Sequence, residues 1–239
     1  MKKLQINPDL FVTNRVRYRN EIQPKSLAIF HSNDEMPRNG DQDFPFRQNS
    51  DFFYLTGIDQ AKSVLFIYPD CPIEKYREVL FLEETNEHIA IWYGKKYSKE
   101  EATAVSGIKT VLWLDSFDTT LKEVMANCEY VYLNANENPR YANQVPYKDM
   151  RFAKELTARF PAHKYERSAP IISKLRMVKS SIEVDLIKKA AEITGLAFDR
   201  VLKFVKPGVM EYEIEAEITH EFIRHRATGH AYYPIIASG

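Results

Sequence analysis

The chain has 239 residues, and its 33 basic and 33 acidic side chains cancel to a formal net charge of 0. With 44% hydrophobic and 13% aromatic residues it can fill a core, so the composition favours a folded chain over an intrinsically disordered one. The balanced charge includes no local block of lysine or arginine, and it predicts neither nucleic acid nor an anionic membrane as a partner.

The chain opens with a predicted helix over residues 7–22. Asn7 is the expected N-cap and Pro8 the expected first helical residue. A loose apolar stripe follows at helical spacing and consists of Leu10, Val12, Val16 and Ile22.

Short apolar runs rich in β-forming residues follow the helix. Bounded by Gly, Pro, Asn, Asp or Ser, they predict strands at 26–30, 63–68, 78–82, 110–114 and 130–134. Several are apolar without alternation, which is typical of strands covered on both faces. Helices are predicted between them at 98–106, 116–126 and 147–160. This alternation predicts an α/β domain.

The pattern changes in the last third of the chain. Residues 166–180 are interpreted as a connector, after which Ser180 and Glu183 have the spacing of a capping box. A predicted buried helical stripe then runs to Pro207 and consists of Val184, Ile187, Ala191, Thr194, Phe198, Val201 and Val205. A second helix is predicted at 211–226. Since two helices bury their apolar faces poorly alone, residues 169–239 indicate the start of a second domain.

The two cysteines, Cys71 and Cys128, lie far apart and form no CxxC pair. Two buried thiols in a reducing compartment are the favoured interpretation, with a single disulfide as the alternative. The N-terminus lacks the apolar core of a signal peptide, and no run approaches the ~18 apolar residues of a membrane span. We therefore expect a soluble, cytoplasmic protein.

A cluster of histidines and acids near the end of the chain invites a metal-site interpretation. HEFIRH places His220 and His225 five residues apart, whereas the zinc-protease motif HExxH needs four. At ~100° per residue the two rings are expected to point to different sides of a helix, so they are not expected to bind one metal ion together. Glu217 and Glu221 are expected to form a solvated acidic face, and His230 lies in a predicted turn. The cluster is therefore not predicted to bind metal.

Several longer stretches resemble one family. RQNSDFFYLTGIDQAKSVLFIYPD (47–70) and IWYGKKYS (91–98) resemble the N-terminal domain of the Xaa-Pro aminopeptidases, also called aminopeptidase P. LRMVKSSIEVDLIKKAAEIT (175–194) resembles the linker and first catalytic-domain helix of that family. KPGVMEYEIEAEITHEF and AYYPIIASG resemble the next helix and the first strand.

The resemblance implies a fold in two parts. Residues 1–168 are expected to form a creatinase-type N-terminal α/β domain, a mixed sheet flanked by helices. Residues 169–239 are expected to form the first helices and strand of an incomplete pita-bread α+β domain.

The resemblance also implies a metallopeptidase that removes the N-terminal residue preceding proline. Its cofactors are two divalent ions, usually manganese, which lower the pKa of a bridging water and polarise the scissile carbonyl. The family's ligands are two Asp, one His and two Glu, and these lie downstream of the segment matched by YYPIIASG. No residue of 1–239 is therefore assigned as catalytic or as a metal ligand, and the chain is expected to be catalytically incomplete.

Two aromatic residues are carried over as substrate-binding candidates. Trp92 matches a loop tryptophan that, in oligomeric relatives, reaches toward a neighbouring subunit's active site, and an indole stacks well on a proline ring. Tyr232 matches a tyrosine that lines the substrate pocket. For each, packing within its own domain is the alternative. Asp51, Phe53 and Tyr54 are interpreted as structural, as an acid ordering a turn before a strand-like run of core aromatics.

Three functions stay open. A proline-containing peptide is the expected partner of an aminopeptidase P, and a homodimer or homotetramer is the expected assembly. A prolidase-like dipeptidase is the alternative within the superfamily, and a non-catalytic interaction or oligomerisation module is the alternative outside it. In each case apolar side chains beyond about residue 175 lack partners within the chain, among them Ile187, Phe198, Val201, Ile218 and Phe222.

Overall fold

The computed structural model describes residues 5–86, 88, 90–91, 94–135, 137–138 and 145–237. Contacts group residues 8–178 into one compact unit, called here the first unit. Residues 179–239, with 1–7, form a second unit. The predicted domain boundary at 168/169 stays a prediction.

A six-stranded mixed sheet forms the centre of the first unit, in the order β6-β5-β4-β1-β7-β8. Its strands are β1 (Ser26–His31), β4 (Ser63–Ile67), β5 (Glu78–Leu82), β6 (Thr110–Trp113), β7 (Tyr130–Leu133) and β8 (Lys164–Arg167). β4 runs antiparallel to β1 and β5, whereas β5–β6, β1–β7 and β7–β8 are parallel. A separate small hairpin is formed by β2 (Pro37–Asn39) and β3 (Gln42–Asp43).

Helices cover both faces of the sheet. They are α1 (Asp9–Arg19), α2 (Ser50–Thr56), α3 (Lys99–Ser106), α4 (Phe117–Met125), α5 (Lys148–Arg159) and α6 (Ala169–Met177). In β1 the side chains of Ala28 and Phe30 join one apolar cluster, and those of Leu27 and Ile29 join the other. This explains the unbroken apolar runs of the strands and confirms the prediction of a mixed sheet flanked by helices.

Helix α1 buries a different face from the predicted one. Pro8 already has helical backbone angles and its carbonyl accepts from the N–H of Phe11 at 3.0 Å. The predicted stripe is wrong at Val12 and Val16, which are 37% and 41% exposed, whereas Leu10 is buried. The buried face consists of Leu10, Phe11, Asn14, Arg15 and Tyr18. Because hydrogen bonds hold its two polar residues inside, an apolar pattern recovers only part of this face.

The segment SDFFYLTG forms helix α2, so the interpretation as a turn before a strand-like run was wrong. Asn49 caps the helix, since its side-chain oxygen accepts from the N–H of Asp51 at 2.9 Å. Gly57 ends it with a left-handed φ of +70°. The structural interpretation of Asp51 and Tyr54 holds, because Asp51 forms an ion pair with Arg176 and Tyr54 is buried.

The predicted connector contains the end of strand β8 and the whole of helix α6, which close the first unit. Arg17 donates from Nη2 to the carbonyl of Leu175 at 3.1 Å, and the hydroxyls of Tyr18 and Ser168 are 2.8 Å apart. Ile172 and Leu175 belong to the apolar core of the first unit. Helix α1 is thus bonded to residues that lie about 150 positions later in the sequence.

The second unit consists of helix α7 (Ser181–Phe204) and helix α8 (Glu211–Arg224). The predicted capping box is present, with Glu183 N–H on Ser180 Oγ and Ser180 N–H on Glu183 Oε2. Among its described residues only Ile193, Ala197 and Glu221 are buried, and Phe198 is 61% exposed. The predicted shortage of partners is confirmed for Ile187 and Phe198, whereas the predicted buried stripe of α7 is wrong.

The segment after α8 differs from its prediction. Residues 231–237 are bends and irregular backbone rather than a strand. A strand needs a neighbour to take its backbone hydrogen bonds, and the second unit has no strand among its described residues. Nor is any helix in the described part of the chain long and apolar enough to cross a lipid bilayer.

Both cysteines are buried free thiols, as predicted. Burial raises the pKa of Cys128 to about 12 and raises that of Cys71 above its ordinary value. Because the thiolate is the reactive form, we expect neither thiol to react quickly with a disulfide reagent in the native protein at pH 8. Two thiols per chain should react after unfolding in urea. Rapid labelling of the native protein would contradict this packing.

Candidate functional site

The acidic and basic side chains of α7 and α8 form one ion-pair cluster in the second unit. Arg200 contacts Glu217 and donates from Nη1 to Glu221 Oε1 at 3.0 Å. The side chain of Glu221 is only 9% exposed, so the predicted solvated acidic face is wrong for this residue. The cation that holds both carboxylates is Arg200 of the neighbouring helix α7. The residue pattern of α8 alone gives no information about this partner.

Both candidate histidines approach the same carboxylate. His220 Nδ1 lies 3.4 Å from Glu221 Oε1, and His225 Nε2 lies 3.2 Å from Glu221 Oε2. His230 instead contacts the hydroxyl of Thr219 at 3.0 Å and the ring of Phe222. In the described part of the chain, no group of three or more His, Cys, Asp or Glu side chains could hold a metal ion.

The Arg200 contact makes the cluster sensitive to acid. Burial alone raises the pKa of Glu221, but the hydrogen bond from Arg200 and the nearby charges of Arg224 and His220 lower it below its ordinary value. A lowered carboxyl pKa adds stability at neutral pH that is lost as the pH falls through that pKa.

We therefore expect amide hydrogen exchange in α8 to accelerate, beyond the intrinsic pH effect, as the pH falls through the lowered pKa of Glu221. Glu221→Gln should remove most of this dependence, whereas the exposed Glu215→Gln should leave it unchanged. An identical pH profile in all three proteins would show that Glu221 does not control the helix.

The structure places one of the two substrate-binding candidates. Tyr232 is 80% exposed on the irregular segment after α8, so the alternative of a packed core residue does not hold within this chain. Tyr233 beside it is 92% exposed. Trp92 lies outside the described residues.

A second polar constellation lies in the first unit and was missed by the sequence reasoning. His31 ends strand β1, and its Nδ1 lies 2.7 Å from Oδ1 of Asp149 in the first turn of α5. Both side chains are at least 96% buried. Asn134, which follows β7, donates to Asp149 Oδ2 at 3.3 Å. A histidine ending an otherwise apolar strand was the available signal, but its acidic partner is 118 residues away.

Two family models match the chain in order. The model described as "Aminopeptidase P, N-terminal domain" matches residues 11–132, and the model described as "Metallopeptidase family M24" matches residues 185–239.

Individual relatives match nearly the whole chain. It is 29% identical over 238 residues to the Xaa-Pro aminopeptidase of Escherichia coli K12, covering 98% of this chain and 53% of the relative. A solved structure of a putative aminopeptidase P from Bacillus anthracis is 29% identical with a TM-score of 0.85, covering 95% of this chain and 54% of the other. A zinc-substituted E. coli aminopeptidase P in complex with product is 26% identical with a TM-score of 0.74, covering 93% and 50%. The chain thus spans about half the length of the curated relatives it matches.

Proposed function

This chain belongs to the aminopeptidase P family, and from that membership we propose that it is the N-terminal portion of a metallopeptidase that removes the N-terminal residue preceding proline. The order of the two family segments along one chain carries the proposal, because it joins the aminopeptidase P N-terminal domain to the start of an M24 metallopeptidase region. The Xaa-Pro aminopeptidase relative that covers 98% of the chain supports the same reaction.

Trp92 and Tyr232 are the residues that we propose contact the peptide. Proline offers a flat apolar ring and no N–H, so an aromatic face is the chemistry suited to it. The 80% exposure of Tyr232 supports this role, because its ring is available to a ligand. No catalytic residue of this chain is proposed.

The metal ions belong to the proposal for the whole protein. The described residues do not fit a metal site, since they contain no group of three or more candidate ligands and Glu221 is bound by Arg200. We propose two divalent ions, manganese by preference, held by residues other than those described. The M24 match supports divalent metal, and one relative has been solved with zinc in place of its own metal.

The assembly and location are proposed on separate grounds. A homodimer or homotetramer would let one subunit's Trp92 reach a neighbour's substrate and would cover exposed apolar side chains such as Phe198 and Leu202. Two free thiols favour a reducing compartment, hence the cytoplasm.

The test uses the complete gene product loaded with manganese. Ala-Pro-Ala should lose its N-terminal alanine, whereas Ala-Ala-Ala should not. Cleavage of Ala-Pro alone, without the tripeptide, would favour the prolidase-like alternative. No cleavage of either, with no stoichiometric manganese bound, would favour the interaction module.

Replacing Trp92 with alanine tests the proposed substrate contact. We expect kcat/KM for Ala-Pro-Ala to fall about tenfold, since an aromatic contact contributes about 0.5–1.5 kcal/mol beyond its buried area. Trp113→Phe is the matched control, because the only other tryptophan lies in β6 with Lys99 Nζ 4.6 Å from its ring centroid. Equal losses in both variants would assign Trp92 a packing role.

A further inference from the structure

A cavity of about 390 Å³ opens in the first unit, where strand β1 ends between helices α4 and α5. Its inner wall is apolar and consists mainly of Val64, Phe117, Leu121, Phe152 and Leu156. Four of these side chains are buried and fixed in the core beneath the cavity. A cavity of this size holds a small organic molecule, and walls of this kind favour an apolar one.

Ser32, Asn33 and Ser63 also line the cavity, but His31 is the polar residue that packs against its aromatic wall. His31 lines the cavity, with its ring centroid 4.4 Å from that of Phe152 and 6.5 Å from that of Phe117. Its orientation is fixed by Asp149, whose Oδ1 also accepts from the backbone N–H of His31 at 3.2 Å. With Asn134 on Oδ2, the buried carboxylate has three donors. The imidazole is therefore held in place before any ligand arrives.

This arrangement determines which hydrogen bond the cavity offers. A carboxylate only accepts, so Nδ1 of His31 carries the proton that it shares with Asp149. In a neutral imidazole this tautomer leaves Nε2 as the acceptor, and Nε2 has no hydrogen-bond partner in the part of the chain that the structure describes. The Nε2 atom of His31 does not belong to the fully buried side-chain nitrogen and oxygen atoms that lack a hydrogen-bond partner. An acceptor of this kind in an apolar wall gains from a donor that enters the cavity.

Charges at the rim are largely paired within the protein. Arg159 binds Asp118 at 2.5 Å, and Arg151 binds Asp34 at 2.7 Å. Lys62 binds Glu83 at 2.6 Å. The remaining charged lining residues are of both signs, Lys148, Glu35 and Glu155. Because neither sign dominates, the rim does not select a charged ligand.

We propose that this cavity is a binding site for a small uncharged molecule with an aromatic or branched apolar body and one O–H or N–H donor. The donor bonds to Nε2 of His31, and the apolar body packs against Phe117 and Phe152. The alternative is a purely structural pair that ties β1 to α5. The site lies within the first unit and does not depend on the proposed peptidase activity.

Phenol and toluene are the matched probes, because they share a ring and differ by one hydroxyl donor. In the complete protein labelled with ¹⁵N-histidine, saturating phenol should shift the Nε2 resonance of His31, and toluene should not. Phenol binding that does not saturate, or an Nε2 resonance that phenol leaves unchanged, would overturn the proposal. This measurement needs no variant.

A variant pair gives the independent readout. In His31→Phe the preference for phenol over toluene should fall about tenfold, the effect of one hydrogen bond. Asp149 keeps its bonds from Asn134 and from the backbone N–H of residue 31, which supports folding of this variant. His163→Phe is the control, because the Nε2 of His163 is bound to the carbonyl of Met125 at 2.8 Å, outside the cavity. An unchanged preference in His31→Phe would overturn the proposal.

Discussion

Replacing Arg15 with methionine is expected to lower the free energy of unfolding of the first unit by about 3 kcal/mol, since it leaves a buried carbonyl without its donor and the half-buried Glu78 without its cation. The Arg15 side chain is 1% exposed, and its Nη1 donates to the carbonyl of Leu55 at 2.7 Å. Its Nε lies 2.9 Å from Glu78 Oε1 as an ion contact without an aligned hydrogen bond. Methionine fills most of the volume but leaves the carbonyl and the carboxylate without their cation.

The measurement is urea unfolding followed by tryptophan fluorescence, because both tryptophans lie within residues 8–178. Lys25→Met is the matched control. It breaks an ion pair with Glu129 whose side chains are 62% and 49% exposed, and water screens the charges of such pairs so that they contribute little to stability. Adding Glu78→Gln to Arg15→Met should recover part of the loss. Equal effects of Arg15→Met and Lys25→Met would refute the buried-charge argument.

Gly57→Ala is expected to lower the free energy of unfolding by about 2–4 kcal/mol, the sum of a penalty for a left-handed backbone and of overpacking. Gly57 ends helix α2 at φ +70°, and an added Cβ would lie 2.3 Å from Cε2 of Phe11. The ring cannot withdraw easily, because Phe11 is 2% exposed and packs edge-on against Phe53 at 5.9 Å.

Gly40→Ala separates the two contributions. Gly40 has φ +58°, but its added Cβ would meet nothing within 4 Å. Gly40→Ala should therefore lower the free energy of unfolding only by the backbone penalty, about 1 kcal/mol. Urea unfolding of both variants gives the comparison. A loss at Gly57 no larger than that at Gly40 would mean that Phe11 moves aside without cost.

The central strands were predictable because their local sequences agree with their environment. The run SVLFI in β4 is buried at every position, so a continuous apolar stretch marks it directly. Strand β8 was not predictable in the same way. Its four residues are exposed or half-buried at the sheet edge, and KYER carries no apolar pattern. Helix α2 was missed because its aromatic residues favour strands, and the cap at Asn49 outweighs that preference.

The candidate site was only partly accessible to sequence reasoning. The i, i+5 spacing of His220 and His225 predicted rings on different sides of the helix, whereas both rings approach the carboxylate of Glu221. The spacing also could not show that Arg200 binds this carboxylate. Tyr232 is a candidate through the family resemblance alone and stays a prediction. His31 and Asp149 were missed because their pairing depends on the fold, which joins the end of β1 to the start of α5.

The contacts between α1 and α6 have a consequence for synthesis on the ribosome. Helix α1 leaves the ribosome early, but Ser168 and Leu175, which bind Tyr18 and Arg17, are translated about 150 residues later. The carbonyls of Tyr54 and Leu55 in α2, which accept from Asn14 and Arg15, follow after only about 40 residues. At about 5–20 residues per second, roughly 8–30 s separate the synthesis of Tyr18 from that of Ser168. The last contacts of α1 therefore form only after almost the whole first unit has been made.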